Sequence, residues 1–144
     1  MKKIVTSAPE LVIFDSQKPT TVSEDSSSFG LGSVLLQEQD DKTLRPVAYA
    51  CRSLTTTEKR YAQIEKEALA LAWACERFQD FILGIHIRLE TDHRPLLSIM
   101  KSKHLDELFP RLQRFRMRLM RFSYEIFHAP GKDLAVADAL SRKP

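Results

Sequence analysis

Long apolar runs are missing from this chain of 144 residues. None approaches the roughly 20 residues that a membrane-spanning helix requires. The opening stretch MKKIVTSAPELVIFD also lacks the apolar centre and cleavage site of a signal peptide. An intracellular protein with no membrane partner is therefore expected. Cysteine is scarce as well: Cys51 and Cys75 stand apart, without the spacing of a metal knuckle. In a reducing compartment they are expected to be two buried thiols rather than a disulfide. Internal repeats and low-complexity tracts are absent, and so are polymerase motifs. At this length, with 43% hydrophobic and 28% charged residues, the chain suits one globular domain with one sizeable core.

The net charge of +3 hides an uneven distribution. Residues 101–122, KSKHLDELFPRLQRFRMRLMRF, hold seven Lys/Arg against Asp106 and Glu107, a local excess of +5 that leaves −2 for the rest. Such a split sets a polyanion-facing segment beside an acidic region.

Periodicity divides the chain into a strand-rich first third and a mixed remainder. TVSEDSS (21–27), FGLGSVLLQ (29–37) and LRPVAYACRSL (44–54) read as an antiparallel meander, with turn signals at the serines and at Asp40-Asp41-Lys42. The period then changes. Tyr61, Ile64, Ala68, Leu71, Cys75, Phe78 and Ile82 recur every three or four residues, predicting one helix over 58–83. Thr55 with Glu58 forms a capping box at its start, and Gly84 can end it in a left-handed conformation. IHIRLETD (85–92) returns to period two, and a short helix follows at 94–100. In the basic helix Leu112, Phe115, Leu119 and Phe122 share one face and Arg111, Arg114, Arg118 and Arg121 a neighbouring one. YEIFH (124–128) is a fifth strand and 134–141 a last helix. Trp73 and the phenylalanines fall within these apolar patterns and belong to the core. The expected fold class is α/β, a five-stranded mixed sheet flanked by helices.

Four acids stand out by their settings: Asp25 in SEDSSSFGLGSVL, Glu67 in IEKEALALAWA, Asp92 in LETDHRPL and Asp138 in GKDLAVADALSR. A lone surface acid is ordinary, and Asp92 could equally be the N-cap of the helix after it. Strand alternation sends Glu24 to the face opposite Asp25, so only one of that pair can join a common site.

Taken in order, these four motifs resemble the ribonuclease H domain of gypsy-type long-terminal-repeat retrotransposon polyproteins, over about residues 11–142. The resemblance implies a ribonuclease H-like fold and an endonuclease that cuts the RNA strand of RNA/DNA hybrids, removing template RNA during reverse transcription. It implies that Asp25, Glu67, Asp92 and Asp138 hold two Mg²⁺ or Mn²⁺ ions. The chemistry agrees, since clustered carboxylates repel one another without a counter-ion and all-oxygen ligands favour hard cations over zinc. His128 stands ten residues before Asp138, where cellular relatives place a mobile catalytic His. It is read as catalytic, or else as a partly exposed strand-end residue. His93 could touch substrate or cap a helix.

For the nucleic acid, the four arginines of the basic helix lack acidic partners at i+4, so phosphate is their expected partner. Ser26 and Ser27 beside Asp25, and Arg94 beside Asp92, complete the expected binding set. By resemblance, a polymerase domain of the same polyprotein precedes the chain, residues 1–10 being the remnant of the linker to it and 143–144 the start of the next. The expected location is the cytoplasm, in a retrotransposon particle. Departures from the family pattern are Ser26 where Ala is usual, Glu24 beside Asp25, and the short loop before Asp138. The alternative function is an inactive or domesticated module that binds nucleic acid, or a structural or dimerisation domain of a reverse transcriptase. The oligomeric state is open.

Overall fold

The computed structural model describes residues 10–101 and 108–129. Five strands form one sheet in the order β3-β2-β1-β4-β5: β1 Thr20–Ser26, β2 Gly30–Glu38, β3 Leu44–Ser53, β4 His86–Thr91 and β5 Ser123–His128. The first three are antiparallel neighbours, as the turn-rich sequence between them allows. β4 adds parallel to β1, and β5 parallel to β4. The helices are α1 Gln63–Arg77, α2 Gln79–Ile82, α3 Arg94–Lys101 and α4 Pro110–Leu119. No described helix is long and apolar enough to cross a membrane.

The predicted single helix over 58–83 is three pieces. The Thr55–Glu58 capping box forms, with Thr55 N–H donating to Glu58 Oε1 (2.9 Å) and Glu58 N–H to Thr55 Oγ1 (3.1 Å). It caps only a 3-10 turn at Glu58–Arg60, because Tyr61 and Ala62 then turn extended (ψ 148° and 155°). The interruption carries the Tyr61 ring to Phe115 of α4, with ring centroids 6.3 Å apart. A fresh start at Gln63 is steadied by Glu65 Oε1, which accepts the Ala62 N–H (3.0 Å). A second irregularity at Phe78 (φ −101°, ψ 14°) separates α1 from α2. Gly84, at φ +89°, turns the chain into β4 in the left-handed conformation expected of it.

Strand alternation sorts the sheet into two faces. Val22 opposite Leu35, Leu89 beside Val22, and Ile126 beside Leu89 give the face on which α1 and α4 pack. Ala68, Leu71, Ala72 and Cys75 of α1 and Leu112, Phe115 and Leu119 of α4 fill that core. The basic helix thus buries the apolar stripe predicted for it. On the other face Val34, Leu36 and Leu44 form a smaller cluster, and Arg88 stacks over Phe127 at 3.7 Å. Both cysteines are free thiols; Cys75 is buried as expected, whereas Cys51 is exposed on the edge strand β3.

Candidate active site

The registers bring the sequence-predicted acids to the carboxyl end of the two central parallel strands. Ser23 of β1 is level with Glu90 of β4, so Asp25, near the end of β1, and Asp92, just past the end of β4, stand at neighbouring strand ends. Asp25 is 9% exposed and lies opposite Gly32, which puts no side chain beside it. Asp92 is exposed, and among the described residues its carboxylate makes no capping hydrogen bond to α3.

Glu67 reaches the same end of the sheet from the α1 face. Burial in the second turn of α1 leaves it 3% exposed. Its Oε1 accepts from Ser26 Oγ at 2.7 Å and from Gln63 Nε2 at 2.8 Å, and Gln63 also donates to Ser26 Oγ at 3.3 Å. The other oxygen, Oε2, is buried without a hydrogen bond. Burial raises the proton affinity of Glu67, opposed chiefly by the Ser26 and Gln63 hydrogen bonds and in part by hydrogen bonding with Glu24 and by the nearby His93.

Alternation does point Glu24 away from Asp25, but towards α1, where Glu67 is. Glu24 is 0% exposed and neither carboxylate oxygen has a hydrogen bond of good geometry. Its pKa is held well above the usual carboxylate value, first by burial, then by the charges of Glu67 and Asp25, with the neighbouring Thr91 hydroxyl opposing. Reasoning that only one of Glu24 and Asp25 can approach the other acids therefore misjudged Glu24. The signal lay in its two-residue spacing from Val22 and Ser26, both turned towards α1. Gln63, Thr91 and His93 also contribute, and of these only His93 had been singled out in the sequence.

His128 ends β5 in register with Thr91, half-buried, and the Ala129 N–H donates to the Thr91 carbonyl (2.9 Å). It thus borders the same end of the sheet. Asp138 lies outside the described residues. Among those described, no three His, Cys, Asp or Glu side chains are already arranged around one ion. The donor set nonetheless fits a hard divalent cation: oxygen ligands only, with Glu67 Oε2 buried and in no hydrogen bond of good geometry.

The residues expected to touch nucleic acid divide into committed and uncommitted groups. Ser26 is committed to Glu67, and Ser27 folds the β1–β2 turn by accepting the N–H groups of Phe29 and Gly30 (3.1 and 3.2 Å). Arg111 pairs with Glu65 (3.1 Å) and stacks on Tyr61 (4.1 Å). Arg118 makes a two-pronged pair with Glu76 of α1, its Nε donating at 2.9 Å. Arg121 donates to Gln79 (3.1 Å). For Arg111 and Arg118 the compensation missing at i+4 within α4 is thus supplied by acids of α1, which corrects the reading of these two as unpaired. Arg114 and Arg94 are exposed, and neither has a side-chain partner among the described residues.

A mixed sheet ordered 3-2-1-4-5, with acids at the carboxyl ends of β1 and β4 and a third on α1, defines a ribonuclease H-like fold. Solved structures agree. RNase H1 from the halophilic archaeon Halobacterium salinarum NRC-1 superposes with a TM-score of 0.62 at 24% identity, over 85% of this chain and 93% of that one. The foamy viral protease-reverse transcriptase in complex with RNA/DNA hybrid gives 0.62 at 20% identity, over 83% of this chain and 16% of that one. The profile of the RNase H-like domain found in reverse transcriptase matches residues 15–122, and the chain belongs to that family. Among its relatives are the retrovirus-related Pol polyproteins from Drosophila melanogaster transposons opus (36% identical over 100% of this chain and 14% of that protein) and gypsy (35% over 90% and 12%). The chain therefore spans only a small part of the length of these relatives.

Proposed function

We propose that this domain is a metal-dependent endoribonuclease that cleaves the RNA strand of RNA/DNA hybrids, removing template RNA during reverse transcription of a retrotransposon. The observation that carries this reading is the presence of Asp25 and Asp92 at the carboxyl ends of neighbouring parallel strands, with Glu67 hydrogen-bonded to Ser26 at the end of β1. Together with Asp138, these residues would hold two Mg²⁺ or Mn²⁺ ions. Such a pair supplies an activated water and charge stabilisation for in-line attack on a phosphodiester. Ser26 and Gln63 fix one Glu67 oxygen and leave the other available, which orients that ligand before any ion arrives. His128, at the rim, would hand a proton to the departing oxygen, acting as its protonated imidazolium. Arg94 and Arg114 are the uncommitted cations for the hybrid backbone, with Arg111, Arg118 and Arg121 adding positive field from the α4 side. Selectivity for hybrid would come from 2′-hydroxyl contacts on one strand and backbone shape on the other. A polymerase domain of the same polyprotein is the expected partner in cis.

The test is cleavage of a labelled RNA strand in an RNA/DNA hybrid with Mg²⁺, with Mn²⁺ and with EDTA, beside single-stranded RNA and duplex DNA. Metal-dependent cutting confined to the hybrid is expected. A folded domain that binds hybrid and leaves it intact under all three conditions would overturn the assignment.

A further inference from the structure

Glu24 has no part in the four-acid set, yet it is the most deeply buried ionisable side chain beside it. Val22 lies two residues before Glu24 on the α1 face, the buried Ser33 is directly opposite on β2 and Thr91 stands beside it, so its described surroundings are small hydroxyl and apolar side chains with no cation among them. A carboxyl there instead has neither oxygen in a hydrogen bond of good geometry, with the Thr91 hydroxyl and Glu67 as its polar neighbours, and Glu67 Oε2 is a third such oxygen. Buried charge is tolerated when it is paired or coordinates a metal. Ser26 and Gln63 both bond to Glu67 Oε1, so the two neighbouring acids keep three oxygens for one further partner. Oxygen-only donors from a strand and a helix are what a hard divalent cation takes.

We propose that Glu24 is a fifth carboxylate of the cation centre, binding a divalent cation together with Glu67 on the α1 side of β1 while Asp25 approaches from the other side. This rests on the reading of the site as a cation centre. The energetic consequence is that the cation is part of the fold: without it, Glu24 and Glu67 oppose the packing of α1 on β1, and with it they draw the two together.

Calorimetric titration of Mn²⁺ into the full chain, thermal unfolding in EDTA and in Mn²⁺, and hybrid cleavage should be compared for the wild type, Glu24→Gln and Glu24→Thr. The wild type should bind Mn²⁺ and melt higher in its presence. Glu24→Gln should melt above the wild type in EDTA, and both variants should bind Mn²⁺ at least tenfold more weakly and lose most of the rise in Tm. The Thr variant decides the affinity question should the Gln variant fail to fold. Wild-type Mn²⁺ affinity in a folded variant overturns the inference, as does a Gln variant that melts below the wild type in EDTA, the mark of a carboxyl pair that merely shares a proton. If the wild type binds and cuts while the variants bind equally well, only Glu24's role falls. A wild type that neither binds Mn²⁺ nor cuts hybrid removes the nuclease reading itself.

Discussion

Asp25 and Glu58 are both acids, and their surroundings give them opposite uses. Asp25 stands where no neighbouring β2 side chain crowds it, so Asp25→Asn should fold normally while losing a cation ligand of nearly equal size. Hybrid cleavage should fall by more than the roughly 10–100-fold typical of losing an outer-shell partner, at an unchanged unfolding midpoint. Retained cleavage would remove Asp25 from the site. Glu58 is held by Arg52, whose Nη1 and Nη2 donate at 2.7 and 2.9 Å, and the Thr55 N–H adds a third bond. The Arg52 hydrogen bonds chiefly pull its pKa from the ordinary 4.5 to about 2. A carboxyl lowered on folding stabilises the fold above its unfolded pKa, and that contribution is lost as pH falls through the folded one. Urea midpoints compared at pH 6 and pH 3 should therefore show a smaller acid loss in Glu58→Gln than in the wild type. Equal losses would mean that this pair is no part of the acid response.

At the scale of elements, the interface between α1 and α4 divides the arginines by task. Arg118→Glu breaks the pair with Glu76 and places two like charges together. Because both side chains are about one-third exposed, the loss of stability should be modest, ~1 kcal/mol. Arg114→Glu should leave stability unchanged yet weaken hybrid binding and flatten its salt dependence, read from binding isotherms across a salt series. Equal hybrid affinity for Arg114→Glu and the wild type would move the nucleic-acid surface elsewhere. Gly84→Ala should destabilise by roughly 1–2 kcal/mol in urea unfolding, from backbone strain alone, since a Cβ there meets nothing within 4 Å. Most elements were legible in the sequence because their periods are strong and their punctuation is local: the Asp40-Asp41-Lys42 turn, the Gly84 stop, the Thr55–Glu58 box. The break at Tyr61-Ala62 was not. Its cause is a contact with Phe115 and Arg111, more than forty residues away in the chain, and no local pattern reports it. The pairing of Arg111 and Arg118 escaped for the same reason, because i+4 rules see only one helix.

For the molecule as a whole, the candidate site is a product of topology. Asp25, Glu67 and Asp92 were each visible in their motifs, and the sheet order explains why such distant acids share one end of it. Glu24 shows where pattern reading falls short: alternation gave the side on which its carboxylate lies, whereas packing decided what else lies there.

The parallel pairing of β1 with β4 has a bearing on the birth of the chain. A parallel partner cannot be reached by a hairpin; the whole of β2, β3 and α1 must be made before β4 exists to pair. During synthesis the meander of β1 to β3 can close locally, but with the β4 side of β1 an open edge. Asp25 and the buried Glu24 sit on that strand, so until β4 docks they lack Asp92 and Thr91 beside them. The candidate catalytic site is thus completed late, because a nascent chain that ends before β4 carries Asp25 and Glu67 and lacks Asp92.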